Sequence, residues 1–175
     1  MSTSVAAATW ITKIADEERQ RDAARAIEDE TIARKADLVR RAGRRIADEL
    51  RAAVTRDVQS YRGEFPGDAA RDIVVEPAGA DGGFIVRKPA PSAASLTVTP
   101  KPGAAIACHY RFSLPHGLPP LDDHIEVNWV DDGGETLQMK HGMTGQLFPT
   151  ADALSEFLLV PALTGRPRAS REVRS

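Results

Sequence analysis

The sequence predicts an α+β protein in which a long N-terminal helix and a short C-terminal helix pack on one face of a meandering antiparallel sheet of about five or six strands. Three observations predict it. Between Trp10 and Arg62 there is no proline and Gly43 is the only glycine, in a composition of Ala, Arg, Glu, Asp and Ile that helices favour or tolerate. From residue 72 onward the chain breaks into short apolar segments separated by Gly, Pro, Asp and Ser, the pattern of successive antiparallel strands. Near the end, Leu154, Phe157 and Leu158 recur at helical spacing.

The first helix has acids at Asp16, Glu17 and Glu18 near its start and stop signals at Gly63, Pro66 and Gly67. At 100° per residue, Ile32, Val39, Ala42, Ile46, Leu50, Ala53, Val54 and Tyr61 fall in one arc, the width expected of a core-facing stripe. Extended backward, the stripe meets Glu28, Arg25, Arg21 and Glu18 before Ile14 and Trp10. That first half cannot bury the same face in an ordinary core. Residues 10 to 62 in one helix would span about 80 Å, whereas a small domain is about 30 Å across. Isolated helices are marginal in water, and i,i+4 pairs such as Glu17 with Arg21, Glu30 with Arg34 and Asp37 with Arg41 add only about 0.3 kcal/mol each. Two associated helices are the more stable arrangement.

The strand segments are DIVVEP, GGFIVRKP, SLTVTP, AAIACHYRF, HIEVNWV and ETLQMKH. In the fourth, Ile106, Cys108, Tyr110 and Phe112 alternate with Ala105, Ala107, His109 and Arg111, so one face is apolar and the other polar. Ile125, Val127 and Trp129, then Leu137 and Met139, repeat the alternation, and the DDGG at 131 to 134 joins those two strands as a hairpin. Asp122, Asp123 and His124 read as a loop entering a strand, and Pro89 to Ser95 as a loop. The last helix starts at Thr150, an N-cap residue with Asp152 in the first turn, and Pro161 is expected to end it. Three regions follow: a helical arm over residues 1 to 31, an α+β domain over 32 to 164, and a basic tail over 165 to 175 expected to be disordered.

Charge separates along the chain. Residues 1 to 62 carry 13 Lys and Arg against 11 Asp and Glu, residues 63 to 165 carry 6 against 13, and residues 166 to 175 carry 4 against 1. A body this acidic makes a nucleic-acid partner an unfavourable reading, since phosphate binding needs the opposite sign. RRAGRR, Arg40 to Arg45, falls in an arc that also contains Asp37 and Asp48, which suits a solvated face held by helical charge pairs. No stretch of about 18 apolar residues is present to span a bilayer, and the N-terminal MSTSVAAATWITK lacks the basic start and apolar run of a secretory signal. Cytoplasmic location and no membrane contact are the expectations. The single Cys108 makes no internal disulfide and no zinc pair.

No catalytic, cofactor-binding or metal-ligating residue is assigned. His109, His116, His124 and His141 show no i,i+4 pair. No serine sits in a nucleophile elbow, Cys108 lies on the apolar side of its strand, and GMTG at 142 to 145 lacks the lysine of a phosphate-binding loop. Two candidate surfaces remain. The polar sheet face is expected to gather His109, Arg111, Glu126, Asn128, Gln138 and Lys140, a platform for a small molecule or an extended peptide. The arm carries Trp10, Ile11 and Ile14 as association anchors. The leading expectation is a non-enzymatic interaction or scaffold protein that self-associates through its N-terminal helix, most simply as a homodimer; the alternative is a binding module built on the polar sheet face.

Overall fold

The computed structural model describes residues 3–89, 93–102, 105–113, 119–131 and 135–168. Helix α1 runs Thr3–Glu64, without interruption at Gly43. Strands β1 (Val74–Ala78), β2 (Gly83–Lys88), β3 (Ala93–Lys101), β4 (Ala105–Ser113), β5 (Leu121–Asp131), β6 (Glu135–His141) and β7 (Leu147–Phe148) follow, and helix α2 (Ala151–Thr164) closes the described chain. The strands form one sheet in sequence order, each antiparallel to the next. The fold is therefore the α+β meander expected, with seven strands in place of five or six. The added strand, β7, is two residues long and too short to show an alternation.

The chain divides into two compact units, Met1–Leu38 and Val39–Ser175, slightly beyond the arm boundary read at residue 31. The second unit holds the core. Ile46, Leu50, Val54 and Val58 of α1 are buried together with Leu154, Leu158, Leu159 and Ala162 of α2. Both groups meet the inward side chains of the sheet: Phe84, Val86, Leu96, Val98, Ile106, Cys108, Tyr110, Phe112, Ile125, Val127 and Met139. Successive strand residues point to opposite faces, so the i, i+2 pattern of β4 places all four of its apolar residues in this layer. The helical stripe is shorter than expected. Val58 belongs to it, whereas Ile32 is 59% exposed; the stripe's first buried residue is Ile46.

Three local expectations are corrected. Strand β3 begins at Ala93, so Ala93 to Ser95 are strand, while 90 to 92, like the DDGG glycines and His116, lie outside the described residues. Strand β5 begins at Leu121, which makes Asp122, Asp123 and His124 strand residues. Pro161 does not end α2, which continues to Thr164 and is capped by Gly165 in the left-handed conformation at φ 68°. A proline in a helix leaves the carbonyl four residues earlier without its N–H partner. Here that carbonyl, Phe157 O, accepts instead from the Arg168 guanidinium at 2.5 Å. The next carbonyl, Leu158 O, accepts from the Tyr110 hydroxyl at 2.8 Å.

Candidate functional site

The polar face of the sheet is built by register. Arg111 lies opposite Ser95, His109 opposite both Thr97 and Asp122, Glu126 opposite Lys140, and Asn128 opposite Gln138. All six residues expected on this face are therefore on it. They form two groups. In one, the Lys140 ammonium sits 3.1 Å from Glu126, with His124 at 3.6 Å on its other side. Hydrogen bonding from Lys140, followed by its positive charge and a bond from Asn128, holds the Glu126 carboxyl below its ordinary pKa. In the other, Arg111 Nε donates to His109 Nε2 at 3.4 Å, which leaves the His109 Nδ1 hydrogen for Asp122. Ala107, opposite His124, lies between the groups. Arg111 also opens onto a cleft of about 580 Å³ lined by Glu76, Arg87, Ser95 and Ser113 among others, of which Arg87 is already bonded to Glu76 at 3.0 Å.

The opposite, apolar face holds a polar cluster that reading the sequence missed. Asp123 and His141 are buried, at 6% and 4% exposure. His141 Nε2 is 2.6 Å from Asp123 Oδ1, and His141 Nδ1 is 2.7 Å from the Thr144 hydroxyl. The backbone N–H of Thr144 also donates to Nδ1 at 3.3 Å. Nδ1 is thus an acceptor, and the ring hydrogen sits on Nε2, facing the carboxylate. The second carboxylate oxygen takes the Arg168 guanidinium, which stacks 3.7 Å from the centre of the Phe157 ring and also approaches Tyr110. Arg168 lies in the tail expected to be disordered, where it bonds Phe157 O; residues 169 to 175 lie outside the described residues. Cys108 lies opposite Asp123 on β4. Burial, then the charge of Asp123, pushes its thiol up to about 12.

Thr144, His141 and Asp123 line up as hydroxyl, imidazole and carboxylate, the order of a nucleophilic triad. The rest of the geometry assigns them a structural role. The Thr144 oxygen accepts from Gln146 N–H at 3.3 Å, and Gly145 N–H bonds His141 O at 2.9 Å. The hydroxyl and the imidazole lone pair close the turn between β6 and β7. The cluster braces that turn, α2 and the chain after α2 against the sheet. Continued alternation was the signal for it: Asp123 shares parity with Ile125 and Val127, and His141 with Leu137 and Met139. Among the described residues no three His, Cys, Asp or Glu side chains gather as a metal site, and no helix is long and apolar enough to cross a membrane.

In the first unit, Trp10, Ile11 and Ile14 are 56%, 53% and 45% exposed, and Ile27 is exposed beyond them. Asp16 and Arg19 pair at 2.6 Å, and Glu17 and Arg21 approach to 3.8 Å; such solvated pairs contribute little. Within RRAGRR, Arg45 lies 3.7 Å from Glu49.

Fold and sites together define an α+β protein with a long N-terminal helix, a braced single-sheet core and a polar outer sheet face. Comparison with protein-family models, curated proteins and solved structures finds no match to this chain.

Proposed function

We propose that this chain is a non-enzymatic interaction protein that self-associates through its N-terminal helix. The observation that supports it is the exposure of Trp10, Ile11 and Ile14 side by side in a unit that contributes no core residue among the described residues. A helix of this composition is marginal alone, and its stability comes from burying an apolar face. A second copy is the occupant the charge order favours. The arm is acidic at 16 to 18, net basic from 19 to 25, acidic at 28 to 30 and basic at 34 and 35. An antiparallel second copy sets 16 to 18 opposite 34 and 35, and 28 to 30 opposite 19 to 25. A parallel copy sets like charge against like. Mixing two differently tagged full-length copies and recovering one through the other tests the reading; exchange that disappears when Glu28, Asp29 and Glu30 are changed to Lys, and returns when Arg19, Arg21 and Arg25 are also changed to Glu, is the expected result.

A second reading rests on Arg111, which belongs to the polar face and also lines the adjoining cleft. In it, His109, Arg111, Glu126, Asn128, Gln138 and Lys140 bind a small molecule or an extended peptide. Replacing Arg111 and Asn128 with Ala then abolishes binding and leaves association intact. A ligand indifferent to both changes rules this reading out.

A further inference from the structure

We propose that the cleft between β2 and the end of α2 binds a phosphate-bearing small molecule. Tyr61, Arg71, Lys88, Leu163, Thr164 and Arg166 line a space of about 530 Å³ there, within the range of small-molecule sites. Three of the six are cations and none is an acid. Composition does not explain this concentration. Residues 63 to 165 carry 6 basic and 13 acidic side chains, yet two of those basic residues, joined by Arg166, meet in one cleft.

Each cation is held differently. Arg71 is bridged to Asp68 and lies 4.4 Å above the centre of the Phe65 ring. Lys88 donates to Leu163 O at 2.6 Å, so one of its three hydrogens caps α2 and the others stay available. Among the described residues no acid pairs with Lys88 or Arg166. Burial, and then the neighbouring charge of Arg71, lower the Lys88 pKa, the repulsion a bound anion relieves. Cations near a helix C-terminus also complement its dipole. That accounts for Lys88, which bonds a terminal carbonyl; the Arg71 contacts are with Asp68, the Phe65 ring and Tyr61 instead. Lys88 and Arg166, which no acid pairs among the described residues, line the cleft beside an Arg71 bridged to Asp68; such a set suits a phosphate, whose oxygens accept from several donors at once.

The test titrates the full-length protein with inorganic pyrophosphate, phosphoserine and citrate by calorimetry at low salt. Pyrophosphate and phosphoserine are expected to bind, and Arg166→Ala and Lys88→Met each to weaken that binding by about tenfold or more. Arg45→Ala, remote in sequence from the cleft residues, should leave it unchanged. Because Lys88 also caps α2, the Arg166→Ala result is the decisive one, read beside an unaltered melting temperature. Three outcomes overturn the proposal: no binding of either phosphate compound, equal binding by the Arg166→Ala protein, or an equal loss from Arg45→Ala. Citrate binding as tightly as pyrophosphate overturns the assignment to phosphate.

Discussion

Asp123 accepts a hydrogen bond from His141 at 2.6 Å on the apolar side of the sheet, and the same carboxylate is neutralised by Arg168 from beyond the end of α2. A buried carboxylate costs several kcal/mol unless paired, and removing one partner of such a set leaves the rest uncompensated. Asp123→Ala is expected to destabilise the fold by about 3 kcal/mol in urea denaturation. In a double-mutant cycle with His141→Ala, the two losses should couple by roughly 1 to 2 kcal/mol. Additive losses would show that the two side chains act separately.

Arg168 supplies the donor that Pro161 cannot, by bonding Phe157 O. Arg168→Met should therefore lower the melting temperature, and Pro161→Ala should rescue part of that loss by restoring an N–H at position 161. The rescue is expected to be on the order of 1 kcal/mol, the worth of one hydrogen bond. Equal effects of Pro161→Ala in both backgrounds would mean that Arg168 acts only through Asp123.

Cys108 titrates in the alkaline range. Its folded pKa, raised to about 12 from an ordinary 9.0, lies above its unfolded value, so the neutral thiol favours the folded state. This contribution is fully present below pH 9 and is lost as pH rises toward 12. Cys108→Ala should flatten the decline in stability over that window. At pH 8 the native thiol should react with iodoacetamide only at the rate of unfolding.

Gly142 lies under the His124 ring. A Cβ there would stand 1.9 Å from His124 Nε2, so Gly142→Ala must displace the exposed ring, at a cost of about 0.5 kcal/mol. Adding His124→Ala removes the obstacle and should recover most of the loss. No recovery would place the strain in the backbone.

Legibility in the sequence followed periodicity. The inward residues of β4 and the spacing of Ile46, Leu50 and Val54 were readable because burial repeats at the period of the element. Polar residues at apolar positions were not. Asp123 looked like part of a loop because acids seldom sit on a buried face, and its partners lie 18 and 45 residues away along the chain. Pro161 was misread for the same reason, since its compensation comes from Arg168 in a segment whose composition resembles a disordered tail. The six polar-face residues were legible from alternation alone. Their separation into two groups depended on a register that no local pattern specifies. The cationic cleft joins α1, the segment before β1, β2 and the end of α2, and no stretch of sequence displays it.

The central claim is that Trp10, Ile11 and Ile14 anchor a second copy of the chain. Burying each contributes about 1.5 to 3 kcal/mol before association costs are subtracted, enough to decide between a dimer and a monomer. Sedimentation equilibrium of the full-length protein beside the variant with all three changed to Ser is the most direct measurement. The account predicts a dimer for the unchanged chain and a variant that is folded but dissociates at least tenfold more readily. A monomeric unchanged chain, or a variant that associates as tightly as the original, would contradict it.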